Sequence, residues 1–184
     1  MSHIGIAFIK EWHDRQSPTI IYGGSLSGAG VPESWKMTDG KCEHISVPML
    51  PTTAGHPLTS KTLSFREAYF DKWEEIPDGH GTSSYDCIRF VLFDAIKRAG
   101  TIETNSLINA LEKTSIETTS ARNYVFTESH CVLVGENPKD PNVDYTLVLL
   151  FQWQSGEIVP VYPNKIMEEA GATYTFPDWP GPWD

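Results

Sequence analysis

The chain has 184 residues, a formal net charge of −10 and a hydrophobic share of 40%. That length allows one domain or two small ones, with roughly 70% of the unfolded surface buried and no need for staples. The acidic balance offers no basic patch for phosphates or anionic headgroups, which argues against nucleic acid and membrane surfaces as partners.

In chain order, His3 to Gln16 carries Ile4, Ala7, Phe8, Ile9 and Trp12 at helical spacing, and Ser17-Pro18 stops that helix. Thr19 to Tyr22 is a short β-branched run and predicts a buried strand. The loop from Gly23 to Gly30 follows it directly, in the position where open α/β sheets hold ligands. It lacks a phosphate-binding glycine pattern, and a plain flexible connection is the simpler reading. Val31 to Cys42 predicts one helical turn and a tight turn at Asp39-Gly40, His44 to Leu50 a strand, and Pro51 to Pro57 a loop. Thr59 or Ser60 would cap a helix through Glu75 with Leu63, Phe65, Ala68, Tyr69 and Trp73 on one side.

Ser83 to Gly100 has the strongest helical pattern. Ile88, Val91, Leu92, Ala95, Ile96 and Ala99 form a stripe that Cys87, Phe90 and Phe93 widen. It predicts a central helix nearly surrounded by protein, capped by Ser83 with Asp86 and stopped at Gly100, with Cys87 as a small core residue. Beyond it, Thr104 to Lys113 reads as a helix with Leu107, Ile108 and Leu111 inward, and Ser115 to Ser120 as irregular. Strands are expected at Asn123 to Phe126, Cys131 to Gly135, Tyr145 to Trp153 and Ile158 to Tyr162, with a hairpin turn at Ser155-Gly156. A helical turn at Met167 to Ala170 precedes an irregular tail whose tryptophans lie against the body.

Catalytic signals are lacking. No two of the six histidines share a metal-ligand spacing, and no nucleophile elbow occurs. The pairs Glu74-Glu75 and Glu168-Glu169 read as solvated faces. Cys42, Cys87 and Cys131 form no CxxC pair, and a Cys42–Cys131 bridge is open in an oxidising compartment. These observations predict no metal, no cofactor and no enzyme, and favour a binding or structural role. No apolar run reaches the roughly 18 residues of a membrane span, and no signal peptide is expected before the first helix.

The order and spacing of several segments resemble a known family. They are Tyr85-Asp86 opening a helix that ends in AG, Ala110-Leu111-Glu112, and a hairpin with Gln152-Trp153, Gly156, Val159 and Pro163. Together these resemble the C-terminal half of type I periplasmic binding proteins, in particular the branched-chain amino acid substrate-binding proteins of ABC transporters. The resemblance implies an α/β chain holding pieces of two sheet-and-helix lobes. A second-lobe segment would run over 1–45 and a first-lobe segment over 46–114. The crossover, the second-lobe strands and the tail would occupy 115–184. The N-terminal half would supply the first strands of both sheets and most ligand contacts.

The implied function is solute binding for an ABC importer, with branched-chain amino acids or a small polar ligand such as an amide or urea. Permease subunits would be partners and the location periplasmic or extracellular. A ligand sensor or regulator on the same scaffold is the alternative, or a truncated fragment without independent binding. Family pattern places Tyr22, Gly24, Ser25, Leu26 and Tyr85 near the ligand. The loop Gly23 to Leu26 lacks the acidic residue with which amino-acid binders meet an ammonium group, which favours an amide-like or urea-like ligand.

Overall fold

A computed structural model describes residues 3–23, 29–140 and 143–182. The chain divides into two compact units, one of residues 1–49 with 149–184 and one of residues 50–148.

The first unit is built on a three-stranded antiparallel sheet of order β1 (Ser46–Pro48), β4 (Leu150–Gln154) and β5 (Glu157–Tyr162). Strands β2 (Ser115–Ile116) and β3 (Tyr124–Val125) belong to the second unit. The expected hairpin joins β4 to β5, with Ser155 and Gly156 both at positive φ. The Glu43 carboxylate accepts the Ser155 N–H at 2.8 Å and fixes that turn. On the other side of β1, Tyr22 forms a single parallel bridge with Ser46. The predicted buried strand Thr19 to Tyr22 is therefore corrected to an exposed edge. Ile20 is 43% and Tyr22 52% exposed, because no described strand lies beyond them.

Helix α1 (His3–Asp14) turns Ile9 and Trp12 inward and leaves Ile4 and Phe8 exposed. A helical turn, α2 (Ser34–Met37), sets Trp35 against Trp153 at 6.1 Å. Gly156 has to be glycine here: its φ is +87° and an added Cβ would lie 3.4 Å from the Trp35 ring. The irregular tail is clamped, as expected for Trp179. Its indole N–H donates to Ser17 O at 2.9 Å, and its ring meets Trp12 edge-on at 5.1 Å. Gln152 fixes the segment before it. This fully buried amide donates to His44 O and Thr175 O and accepts from the Thr175 N–H and hydroxyl.

The second unit is mostly helical. It contains α3 (Pro51–Ala54), α4 (Thr62–Trp73), α5 (Gly79–Asp86), a π-helical turn (Cys87–Leu92), α6 (Phe93–Ala99) and α7 (Thr104–Leu111). Its described strands are the two-residue pair β2 (Ser115–Ile116) and β3 (Tyr124–Val125). Thus Pro51 to Ala54 is a helical turn with Pro51 at its start, where proline is preorganised, and not the expected loop. Ser115-Ile116, expected to be irregular, pairs with β3. Cys131 to Gly135 makes only bridges, at Val132 and Val134. Helix α8 (Asn164–Glu169) returns to the first unit.

The largest correction concerns the central helix. It begins a turn early, because Asp78 caps it by accepting the Gly81 N–H at 2.6 Å. Gly100 stops it at φ +67° as expected, and the Arg98 guanidinium ties its end to Ala110 O. It is not surrounded by protein. Val91 and Ala95 are buried, while Ile88, Phe93 and Cys87 lie exposed. The helix has one covered face because the described residues of the second unit offer only helices and short strands to pack on it.

All three cysteines are free. Burial pushes the Cys42 thiol up to about 11, whereas Cys87 and Cys131 are exposed. A disulfide-exchange reagent at pH 8 should therefore titrate two thiols at once and the third only in denaturant. Three equivalent fast thiols would contradict this packing. Burial also holds His44, 2.9 Å from the Thr175 hydroxyl, below the usual histidine range. The unfolded chain takes up that proton more readily. The associated stability is present above about pH 6.5 and is lost as pH falls below it. Calorimetric midpoints at pH 7.5 and 5.5 should drop for the native chain and drop less for His44→Gln.

Candidate functional site

The candidate site is a groove in the second unit, built from α4 and the start of the long helix. Lys61, the residue before α4, and Phe65, Ala68, Tyr69, Lys72 and Trp73 within it recur every three or four positions and line one side. The sequence pattern places Phe65, Ala68, Tyr69 and Trp73 on one side of this helix, together with Leu63. In the structure these residues other than Leu63 line an open cavity of about 680 Å³, and Trp73 is 58% exposed. Gly81 and Tyr85, one helical turn apart, form the facing wall. Gly81 packs closely there: an added Cβ would lie 3.1 Å from the Asp78 carboxylate that caps the helix.

The π-helical turn completes the wall. The Phe93 N–H bonds to Ile88 O, five residues back, so the hydrogen-bonded ring here spans one residue more than in an α-helix. Residues five apart become neighbours, and Phe90 meets Tyr85 edge-on at 5.8 Å. Tyr85 also stacks on Phe65 at 4.4 Å, and Phe65 contacts Tyr69 at 5.9 Å. The result is a continuous aromatic shelf. The Lys61 ammonium lies 5.4 Å from the Phe90 centroid and 2.7 Å from Glu117, which it holds below the usual carboxylate range. Lys72 lies 4.9 Å from the Trp73 centroid.

Thr119 forms the floor, held by the carboxylate of Asp86. Asp86 is 1% exposed. It accepts four hydrogen bonds, from the N–H and hydroxyl of Thr119 and the N–H and hydroxyl of Ser120. Thr62 and Thr59 donate to the carbonyls of Thr119 and Thr118. The loop is thus bound from both helices. Sequence reasoning missed this role and read Asp86 as part of a cap. The serine and threonine run Thr118-Thr119-Ser120 was the available signal, since adjacent hydroxyls and amides suit a carboxylate.

Two of the expected ligand residues, Tyr22 and Tyr85, are among the described residues. Tyr22 lies in the first unit, its ring 6.3 Å from Tyr174, which is 5.0 Å from Phe176. Gly24, Ser25 and Leu26 lie outside the described residues. Tyr85 belongs to the second unit. Among the described residues no three His, Cys, Asp or Glu side chains are grouped to hold a metal. No described helix is long and apolar enough to cross a membrane. Physically, the groove suits a flat apolar group, with ammonium groups at its rim and no carboxylate among its described lining residues.

No family model and no curated protein matches the sequence. Solved structures do match. The leucine binding protein LivK of Thermotoga maritima MSB8 aligns with a TM-score of 0.60 and 19% identity, over 86% of this chain and 41% of that one. A putative branched-chain amino acid ABC transporter protein of Silicibacter pomeroyi aligns with a TM-score of 0.68 and 12% identity, over 95% and 44%. A solute binding protein of R. palustris in complex with benzoate aligns with a TM-score of 0.62 and 13% identity, over 85% and 39%. At these identities the likeness is one of fold. The α/β fold inferred from sequence is present in part, and the chain spans about two fifths of the length of these structures.

Replacing Asp86 tests the construction of the site. Asp86→Ala should cost about 3 kcal/mol or more, since it strands buried donors on Thr119 and Ser120. Asp86→Asn should also destabilise, because its amide N–H groups face donors. Urea midpoints followed by circular dichroism measure both, and unchanged midpoints would show that the clamp carries no stability.

Proposed function

We propose that this chain is part of a solute-binding protein of an ABC importer, working by reversible capture of a small ligand and without covalent chemistry. One observation carries the reading: between 84% and 95% of the chain superposes on such proteins. The ligand class proposed from sequence is a branched-chain amino acid or a related small polar molecule such as an amide or urea. Tyr22, Gly24, Ser25, Leu26 and Tyr85 are its proposed contacts, and permease subunits and a periplasmic or extracellular location follow from the same reading. The missing acid in Gly23 to Leu26 supports an amide over an α-amino acid. The aromatic groove with Lys61 and Lys72 supports adding aromatic carboxylates to the ligands tested.

A second reading, a chain that does not bind alone, is supported by its two-fifths coverage of the aligned proteins. On the first reading 1–45 and 115–184 would belong to one lobe and 46–114 to the other. A thermal melt of the 184-residue chain with leucine, acetamide, urea and benzoate separates the readings. A ligand present at about a hundred times its Kd should add about 2.7 kcal/mol and raise the midpoint by several degrees. If no compound moves the midpoint, independent binding is excluded for these classes.

A further inference from the structure

We propose that the groove between α4 and the long helix is a binding site for a planar aromatic carboxylate, with the ring system on the aromatic shelf and the carboxylate at Lys72 and Tyr69. The inference rests on the solute-binding reading for the use of such a ligand. It adds a site that lies within the second unit and shares only Tyr85 with the contacts proposed above.

Size and shape come first. Lys61 and Lys72 lie about three turns, or about 16 Å, apart along α4. Phe65 and Tyr69 occupy the turns between them, and Tyr85 and Phe90 continue the shelf from the facing helix. A cavity of about 680 Å³ is in the range that holds a molecule larger than a single amino acid. Ring faces on its wall favour a flat occupant.

Hydrogen bonding separates the middle of the groove from its end. In the middle the hydroxyls are already used: Ser64 donates to Lys61 O at 3.2 Å and Thr119 to Asp86 at 2.7 Å. A ring set there strands no polar group. At the end, the Lys72 ammonium lies over the Trp73 ring and has no ion pair among the described residues. The Tyr69 hydroxyl likewise has no hydrogen bond among them. Three residues apart on one helix, these two donors can meet one acceptor group. Lys61, at the other end, is held by Glu117 at 2.7 Å.

Charge selects the sign of that group. Arg89 lies 5.6 Å from the Phe90 centroid and also has no ion pair among the described residues. Lys61, Lys72 and Arg89 thus stand around the shelf of a chain whose net charge is −10, and no carboxylate is among the described lining residues. An organic anion is attracted there and an organic cation repelled.

Titration calorimetry of the 184-residue chain with naphthalene carboxylate tests the site. One molecule should bind per chain, about tenfold more tightly than naphthalene carboxamide or cyclohexane carboxylate, and less tightly as salt is raised. Lys72→Met should weaken binding by about fivefold and Lys72→Glu by about tenfold or more. Ala68→Trp fills the groove and should abolish binding of both naphthalene compounds. Lys113→Glu makes the same charge change outside the groove and should leave the Kd within about twofold. Lys72 and Lys113 are exposed, so melting midpoints of their variants should stay within about 2 °C. Equal affinity for acid and amide, several molecules bound per chain, no binding, or a Kd unmoved by Lys72→Glu overturns the site. Melts with leucine, acetamide and urea report on the solute-binding reading separately. A shift there without naphthalene carboxylate binding refutes the groove alone. Binding in the groove with those melts flat leaves the site standing and removes those ligand classes.

Discussion

The second unit depends on one buried carboxylate. Asp86 gathers four donors from Thr119 and Ser120, and the carbonyls of the same loop receive hydroxyls from Thr59 and Thr62. A carboxylate taken from water needs its lone pairs met by donors of this kind. The geometry it imposes is strict. The helix from Gly79, the helix from Thr62 and the loop at 118–120 meet at one point, and the groove floor lies directly above it. Packing alone would not fix that arrangement, because the helices bury few large side chains: Thr62 is the buried residue of α4, and Thr82 and Asp86 those of α5.

The first unit solves the same problem with a neutral group. Gln152 sits in the middle of a buried strand, and its amide does for the tail what Asp86 does for the loop. Each unit therefore ties an irregular segment to a regular one through a side chain whose hydrogen-bonding capacity is used. The aromatic shelf follows from these constraints. Once the helix is held at Asp86, the π-turn just after it brings Phe90 against Tyr85, which stacks on Phe65.

Much of this was legible in the sequence. The hairpin at Ser155-Gly156, the stop at Gly100 and the docking of Trp179 follow from local chemistry and survive in the structure. So does the partial α/β fold, which rests on the order of segments and not on any one motif. Burial was less legible. Periodicity places apolar residues on one face without saying whether anything covers it, so Ile20, Ile88 and Phe93 read as core and lie exposed. The π-turn also escapes a count based on three and four residues, and it moves Phe90 toward Tyr85. Asp86 was missed because a carboxylate near a helix start is usually a cap. Here its partners lie more than 30 residues away.

The placement of the indoles has a consequence for spectroscopy. Trp12, Trp35, Trp153 and Trp179 all belong to the first unit, and Trp12, Trp153 and Trp179 are buried. Trp73 belongs to the second unit and is already in water in the folded chain. Intrinsic emission will thus follow the opening of the first unit and be nearly silent to the second. Loss of the helices, read by far-ultraviolet dichroism, will follow mainly the second. Comparing the two signals along one denaturation curve turns a single sample into separate reporters of the two units.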